Sequence, residues 1–227
     1  MTTPRPTLAV IGGTGALGGA LAKRWAAAGY PVIIGSRSAD KAAAAAEALV
    51  PGDGSSARGM TNADAAEAAD IVVVTVPFAN HRAILDEIKD AVQGKVVVDS
   101  TVPLVPPKVG TVQLPPEGSA AVAAQMVLGD EVRVVSAFQN VAAHKLAGDG
   151  AIDCDVLVCG NDKAARDVVI GLIEALGLRG LHAGPLANSV AAEALTSILI
   201  GINRRYKVDG AGVRITGDIA AGRAERP

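Results

Sequence analysis

The stretch Thr7-Leu8-Ala9-Val10-Ile11-Gly12-Gly13-Thr14-Gly15-Ala16-Leu17-Gly18 decides the reading of this chain. Its first half, Thr7 to Gly12, is a short aliphatic and β-branched run, the pattern of a strand buried on both faces. Gly13 to Gly18 forms a G-x-G-x-x-G turn, and Leu17 to Ala28 reads as a helix ended by Gly29. Strand, glycine turn and helix in that order point backbone N–H groups and a helix N-terminus at one spot, where a pyrophosphate can sit. A glycine-rich turn by itself also serves to pack a helix on a strand. Its starting position, its spacing and the units that follow favour a nucleotide here.

The same alternation continues downstream. Strands are predicted at Pro31 to Ser36, Asp70 to Pro77, Lys95 to Ser100 and Arg133 to Ala137. Helices are predicted at Asp40 to Leu49, Ala63 to Ala68, His81 to Val92 and Ser119 to Leu128. The stretch around Pro51, Gly52 and Gly54 reads as loose, and Thr101 to Pro116, with five prolines, as an ordered loop over a site. A strand at Asp155 to Cys159, a helix at Lys163 to Leu176, a short strand at Gly180 to Ala183 and a long helix at Ser189 to Tyr206 follow. Gly210 to Ile215 reads as extended, and the last ten residues as polar and frayed. The expected class is α/β: a Rossmann-type parallel sheet with a smaller C-terminal α/β part, divided as 1–145 and 146–227.

Composition narrows the function. The chain has 227 residues, half of them hydrophobic, enough for one sizeable core. A net charge of −2 gives no general pull toward nucleic acid or anionic membrane, and 2% aromatic residues leave no stacking platform for single strands. The N-terminal run MTTPRPT lacks a signal-peptide core, and apolar runs such as Ile71 to Val76 are too short to cross a bilayer. Cys154 and Cys159 stand five apart in a strand-like run and so face opposite sides, reading as reduced, packed thiols. These features predict a cytoplasmic protein. No metal-ligand spacing, P-loop or G-x-S-x-G appears, and His81, His144 and His182 are scattered. His144 alone follows a candidate ligand loop. No catalytic side chain is therefore expected, which suits hydride transfer, where the cofactors carry the chemistry.

The end of the second strand selects the dinucleotide. An NAD site commonly places a carboxylate there for the ribose 2′-hydroxyl. Here the residues are Gly35-Ser36-Arg37-Ser38, with Lys41 one turn later, a set that binds a 2′-phosphate through charge-assisted hydrogen bonds. Asp40 lies past the strand end, where it serves the helix N-terminus. Other strand ends are Val76-Pro77-Phe78, Ser100 to Leu104 and Phe138-Gln139-Asn140. Phe78 can wall a nicotinamide or pack in the core, and Arg82 can reach a phosphate. Asn140 can cap a helix, or the N–H groups of Val141 to Ala143 can meet an anion.

Several of these motifs, taken in order, resemble one family. GGTGALG, GSRS with Lys41, VPF, SAFQN, GPLANS (Gly184 to Ser189) and INRRYKVDGAGVRITG (Ile202 to Gly217) are similar to the NADPH-dependent reductases of the deazaflavin coenzyme F-420. The resemblance covers Leu8 to Gly217, and its C-terminal pattern is the most specific part. It implies hydride transfer between NADP(H) and coenzyme F-420. By match of motif, Gly13, Thr14, Gly15, Ala16 and Leu17 hold the pyrophosphate, and Ser36, Arg37 and Lys41 the 2′-phosphate. Phe78, Arg82, Leu104 and Ala143 line the rest of the NADP site. Gln139, Asn140, Gly210, Ala211 and Gly212 lie by the deazaflavin, and a homodimer is implied. Archaeal members carry a histidine where this chain has Gln139, a departure that falls on the deazaflavin contacts and leaves the NADP site untouched.

Two other readings compete: an NADPH-dependent reductase of a flavin or a small imine or carbonyl compound, and a non-catalytic NADP(H)-sensing module. Imine reductases add a large helical substrate domain, whereas the residues after the nucleotide-binding part here have a mixed α/β pattern. Arg37→Glu should weaken NADPH binding by about 2–4 kcal/mol while NADH binding changes little. Equal losses for both nucleotides in a binding titration would contradict a 2′-phosphate site.

Overall fold

In the computed structural model, which describes residues 4–52 and 55–219, eight strands form one sheet. In chain order the elements are β1 (Leu8–Ile11), α1 (Ala16–Ala27), β2 (Val32–Ser36), α2 (Ala39–Glu47), β3 (Ala57–Thr61), α3 (Asn62–Ala68), β4 (Ile71–Val74) and α4 (Phe78–Ile88). Then follow β5 (Val96–Asp99), α5 (Ala120–Leu128), β6 (Arg133–Ser136), α6 (Ala143–Ala147), β7 (Asp155–Gly160), α7 (Lys163–Glu174), β8 (Arg179–His182) and α8 (Ser189–Tyr206). The strand order is β3-β2-β1-β4-β5-β6-β7-β8. Its first six strands are parallel, with the order reversal of a Rossmann sheet between β1 and β4.

Alternate residues of the central strands feed two cores. Leu8 and Val10 face one side with Trp25, while Ala9 and Ile11 face the other with Leu85 and Ile88. Strands buried on both faces need no polar alternation, so the Val/Ile runs of the sequence locate them.

The structure departs from the sequence reading in three places. The segment after Gly52 contains an edge strand, β3, paired in register with β2 from Val32↔Ala57 to Ser36↔Thr61. Its sequence, ARGMT, is polar and half-exposed, so only the neighbouring strand makes it a strand. α4 begins at Phe78, three residues before the predicted start, with Pro77 at its N-cap. β7 runs antiparallel to β6, whereas β8 returns parallel to β7, so the sheet is not parallel throughout. The Thr101–Pro116 loop carries neither helix nor strand, as expected. Most of the frayed tail expected at the C-terminus lies outside the described residues.

α8 is long and apolar enough, by length and composition, to cross a membrane. Here it packs on α5 and β7 and buries Ser189, Glu193 and Ser197.

Helix α1 is seated against the sheet at Gly18. A Cβ there would overlap the Thr75 hydroxyl oxygen and stand 2.7 Å from the Gly12 carbonyl oxygen. Gly18→Ala should therefore lift α1 off the strand ends. Overpacking of this kind costs roughly 1–3 kcal/mol and should lower Tm by roughly 2–10 °C in a chain of this size. NADP+ affinity should fall with it, because the leading N–H groups of α1 move with the helix. An unchanged melting curve and titration would show that the contact is slack.

Candidate functional site

The register aligns the carboxyl ends of Thr61, Ser36, Ile11, Val74, Asp99 and Ser136 along one edge of the sheet. Ligands of open α/β sheets bind outside this edge. At β1, Gly12 takes φ +79°, and its N–H donates to the Gly35 carbonyl at 3.0 Å, tying the turn to β2. Gly15 is the N-cap of α1 and supplies no side-chain cap, so the helix offers its leading N–H groups to a ligand. A Cβ at Gly13 would lie 2.8 Å from the Val10 carbonyl oxygen, so the turn is too tight for a side chain.

Beside it, Arg37 and Lys41 are exposed, and neither joins an ion pair among the described residues. Ser36 ends β2, and the Ser38 hydroxyl caps α2. Asp40 sits in the first turn of α2, the place its helix role requires. An uncapped helix N-terminus beside unpaired cations fits a nucleotide that carries a diphosphate and a 2′-phosphate.

Further along the edge, a buried polar cluster joins three strand ends. His81 of α4 and Asp99 of β5 are 3% and 0% exposed, with Nε2 and Oδ2 2.7 Å apart. Asp99 Oδ1 accepts from Thr101 N–H at 2.9 Å, and the Asp99 carbonyl accepts from Gln139 Nε2 at 2.8 Å. The Phe78 ring stacks on His81 with centroids 6.3 Å apart and planes at 30°. Phe138, just before Gln139, is buried with φ +74°, an uncommon backbone state that costs an ordinary residue about 1–3 kcal/mol. Trp25 of α1 packs edge-on against its ring at 5.8 Å.

The C-terminal segment folds back over the turn after β6. Gln139 and Asn140 are both buried and both engage α8: Thr196 Oγ1 donates to the Gln139 carbonyl and Asn140 Nδ2 to that of Ala192, each at 2.8 Å. The Asn140 side chain thus ties β6 to α8 and does not cap α6, whose N-cap is Ala142. Val141 N–H is taken by the Phe138 carbonyl. Asp209 pairs with His144 Nε2 at 2.9 Å and Lys145 Nζ at 2.5 Å. Gly210 lies against His144 and Ala142, Ala211 N–H donates to Asn203 Oδ1 at 2.8 Å, and Gly212 lies against Cys154.

The fold therefore gathers two groups of the sequence-derived residues. Gly13 to Leu17 stand beside Ser36, Arg37 and Lys41. Gln139, Asn140, Ala143 and Gly210 to Gly212 cluster at the other end, with Phe78 joined to them through His81 and Asp99. Leu104 sits in the loop after β5, its N–H bonded to the Val102 carbonyl. Arg82 is exposed, and its guanidinium is held by Asp86 at 3.0 Å. An open cavity of about 320 Å³, lined by Lys23, Arg24, Gly148 and Asp149, lies at the far end of α1, away from the strand carboxyl ends.

Comparison with known proteins settles the kinship. Residues 7–103 match the family described as NADP oxidoreductase, coenzyme F-420-dependent. The F-420-dependent NADP reductase of Methanocaldococcus jannaschii is 41% identical over 92% of this chain and 97% of its own length. This chain belongs to the F-420-dependent NADP reductase family. The namesake from Methanothermobacter thermautotrophicus is 42% identical over 92% of this chain and 94% of its own. The crystal structure of a candidate F-420-dependent NADP reductase from an Arthrobacter species superposes with a TM-score of 0.78 at 27% identity, covering 93% of this chain and all of that one. A reductive aminase from Aspergillus terreus, at 20% identity and a TM-score of 0.61, shares the fold, and this chain spans 63% of its length.

Within this family member, the sequence reading passed over His81, Asp99 and Glu193. An Asp closing the Val-rich β5 and a Glu inside the apolar α8 were the visible signals, since buried carboxylates need partners. Glu193 is 1% exposed and accepts from Ala120 N–H at 2.7 Å and Ala121 N–H at 3.1 Å. Burial pushes its pKa up to about 7, against the pull of those N–H groups, with the Asp99 charge adding to the rise. Burial by itself would lower the His81 imidazole, but the Asp99 charge and hydrogen bond, with Glu193, raise it above its ordinary value. Burial also raises both thiols, Cys159 to about 11, so neither offers a thiolate at neutral pH.

Glu193 holds its proton more tightly folded than unfolded. Its contribution to stability is complete below pH 4.5 and is lost as pH rises through about 7. The His81 shift acts in the same direction. Glu193→Gln should therefore reduce the loss of unfolding free energy between pH 5 and pH 8 by on the order of 3 kcal/mol. Urea unfolding at the two pH values measures it, and an identical loss in the variant would contradict the raised carboxyl.

Proposed function

We propose that this chain catalyses hydride transfer between NADPH and coenzyme F-420. The observation that carries the proposal is the 41% identity to the Methanocaldococcus jannaschii reductase over 92% of this chain and 97% of that one. Bound at the strand ends, the nicotinamide supplies the hydride and the deazaflavin accepts it, with the accompanying proton taken from solvent.

The protein's task is to hold two rings face to face. Residues 1–145 carry the nucleotide. Gly13, Thr14, Gly15, Ala16 and Leu17 hold the pyrophosphate, while Ser36, Arg37 and Lys41 bind the 2′-phosphate and reject NADH. Phe78, Leu104 and Ala143 line the nicotinamide end, and Arg82 exchanges Asp86 for a phosphate oxygen. Residues 146–227 complete the deazaflavin pocket, with Gly210, Ala211 and Gly212 approaching Gln139 and Asn140. The reduced, buried Cys154 and Cys159 support a cytoplasmic protein. Exposed Ile198 of α8 and Met126 of α5 support a homodimer, which sedimentation velocity reads directly.

Purified protein mixed with NADPH and coenzyme F-420 should change the deazaflavin absorbance catalytically, and NADH should replace NADPH poorly. NADPH oxidation by an imine or a free flavin, with coenzyme F-420 inert, would overturn the proposal. His144→Ala should keep turnover within roughly tenfold, less than the 10²–10⁴ lost with a general acid or base. A thousandfold drop with both ligands still bound would reveal a proton donor at that position.

A further inference from the structure

His81 and Asp99 form a nearly solvent-free hydrogen-bonded pair beside the ring end of the site, and no role assigned above uses it. Burying a carboxylate and an imidazole is costly, and well-packed apolar residues of the same volume serve stability as well or better. The pair's connections are more informative than its energy. His81 carries the Phe78 ring on its face. Asp99 fixes Thr101 N–H through its carboxylate, at the start of the loop that leads to Leu104, and Gln139 through its carbonyl. Gln139 in turn holds a buried Oε1 that has no hydrogen-bond partner in the described structure. A buried acceptor left open in a pocket wall is where an incoming N–H is received. The segments after β4 and β5 thus meet at one imidazole–carboxylate contact, and Gln139 after β6 is tied to the main chain of the same Asp99.

We infer that His81 is a positioning residue for hydride transfer: clamped by the Asp99 carboxylate, it fixes the Phe78 ring while the same carboxylate fixes Thr101 at the start of the Leu104 loop, so one buried contact sets two walls of the ring pocket beside Gln139. The inference rests on the NADPH and coenzyme F-420 reading of the site. His81 exchanges no proton with either ligand. Its effect is geometric, and hydride transfer is sensitive to geometry, because a misplacement near 1 Å costs on the order of 10²-fold in rate. Apart from Arg82, the phosphate contacts proposed above lie in the turn after β1 and at the end of β2, away from the pair, so most of the nucleotide affinity is separable from ring placement.

The test compares His81→Leu, His81→Gln and Asp99→Asn, each checked for folding by thermal melting. NADP+ affinity, kcat for NADPH-to-F-420 transfer and the primary isotope effect with 4-deuterated NADPH are then measured. His81→Leu should lower kcat roughly 10–100-fold, with the isotope effect fully expressed and NADP+ affinity changed less than about threefold. His81→Gln, which can still hydrogen-bond Asp99, should recover most of the loss. If His81→Leu does not fold, Asp99→Asn carries the test, since it keeps the shape and an acceptor oxygen while weakening the clamp. A folded variant with wild-type kcat would reduce the pair to a structural element and overturn the inference. A parallel collapse of NADP+ affinity would also overturn it. Absence of turnover by the wild-type chain would instead overturn the parent reading, so the two failures are distinct.

Discussion

The contact on which the rest depends is the seating of α1 on the sheet at Gly18. Because Gly18 has no side chain, the helix lies close to Thr75 and Gly12 and its N-terminus opens at the carboxyl end of β1. The far half of the same helix holds the C-terminal part. Arg24 donates to the carbonyls of Leu146 at 2.7 Å, Gly148 at 2.6 Å and Gly150 at 3.1 Å, and Trp25 Nε1 donates to Leu172 at 3.0 Å. One rigid rod thereby sets the glycine turn after β1 and anchors the segment that follows α6. A guanidinium spread over several carbonyls suits this purpose, since its five donors lie in a fixed fork.

Polar cost is concentrated on the ring side of the site. His81, Asp99 and Glu193 are buried, Gln139 keeps an open acceptor, and Phe138 sits in an uncommon backbone state against Trp25. Each of these is unfavourable alone, and each persists because the surrounding packing fixes it. The phosphate side is different in kind. It offers backbone N–H groups and two exposed cations, which cost little to leave solvated until a nucleotide arrives. The two ends of the sheet edge thus draw on separate physical resources.

The C-terminal part joins the sheet through β7, which pairs with β6 at Val135↔Gly160 and Ser136↔Cys159. Its position is fixed from both ends. Asp155 holds Arg179 at 2.7 Å and 2.6 Å and accepts Ile215 N–H at 2.7 Å. Asp209 clasps His144 and Lys145 beside the turn after β6. These carboxylates bring Gly210 to Gly212 beside the turn after β6 although they lie 71 to 73 positions beyond Gln139 in the chain.

The sequence by itself determined the features that depend on neighbours in the chain. Val/Ile runs identify strands buried on both faces, G-x-G-x-x-G requires a tight turn before a helix, and GSRS with Lys41 states the charge at the end of β2. The bounds of α8, Ser189–Tyr206, follow from local pattern alone. Tertiary structure decided what distance in the chain conceals. β3 is a strand because β2 lies beside it, and β7 is antiparallel because of how the chain returns. His81 meets Asp99 across 18 residues, and Glu193 meets the start of α5 across 73. A buried charge shows in a sequence only as an oddity, because its partner, its burial and hence its chemistry are supplied by other segments once the chain is folded.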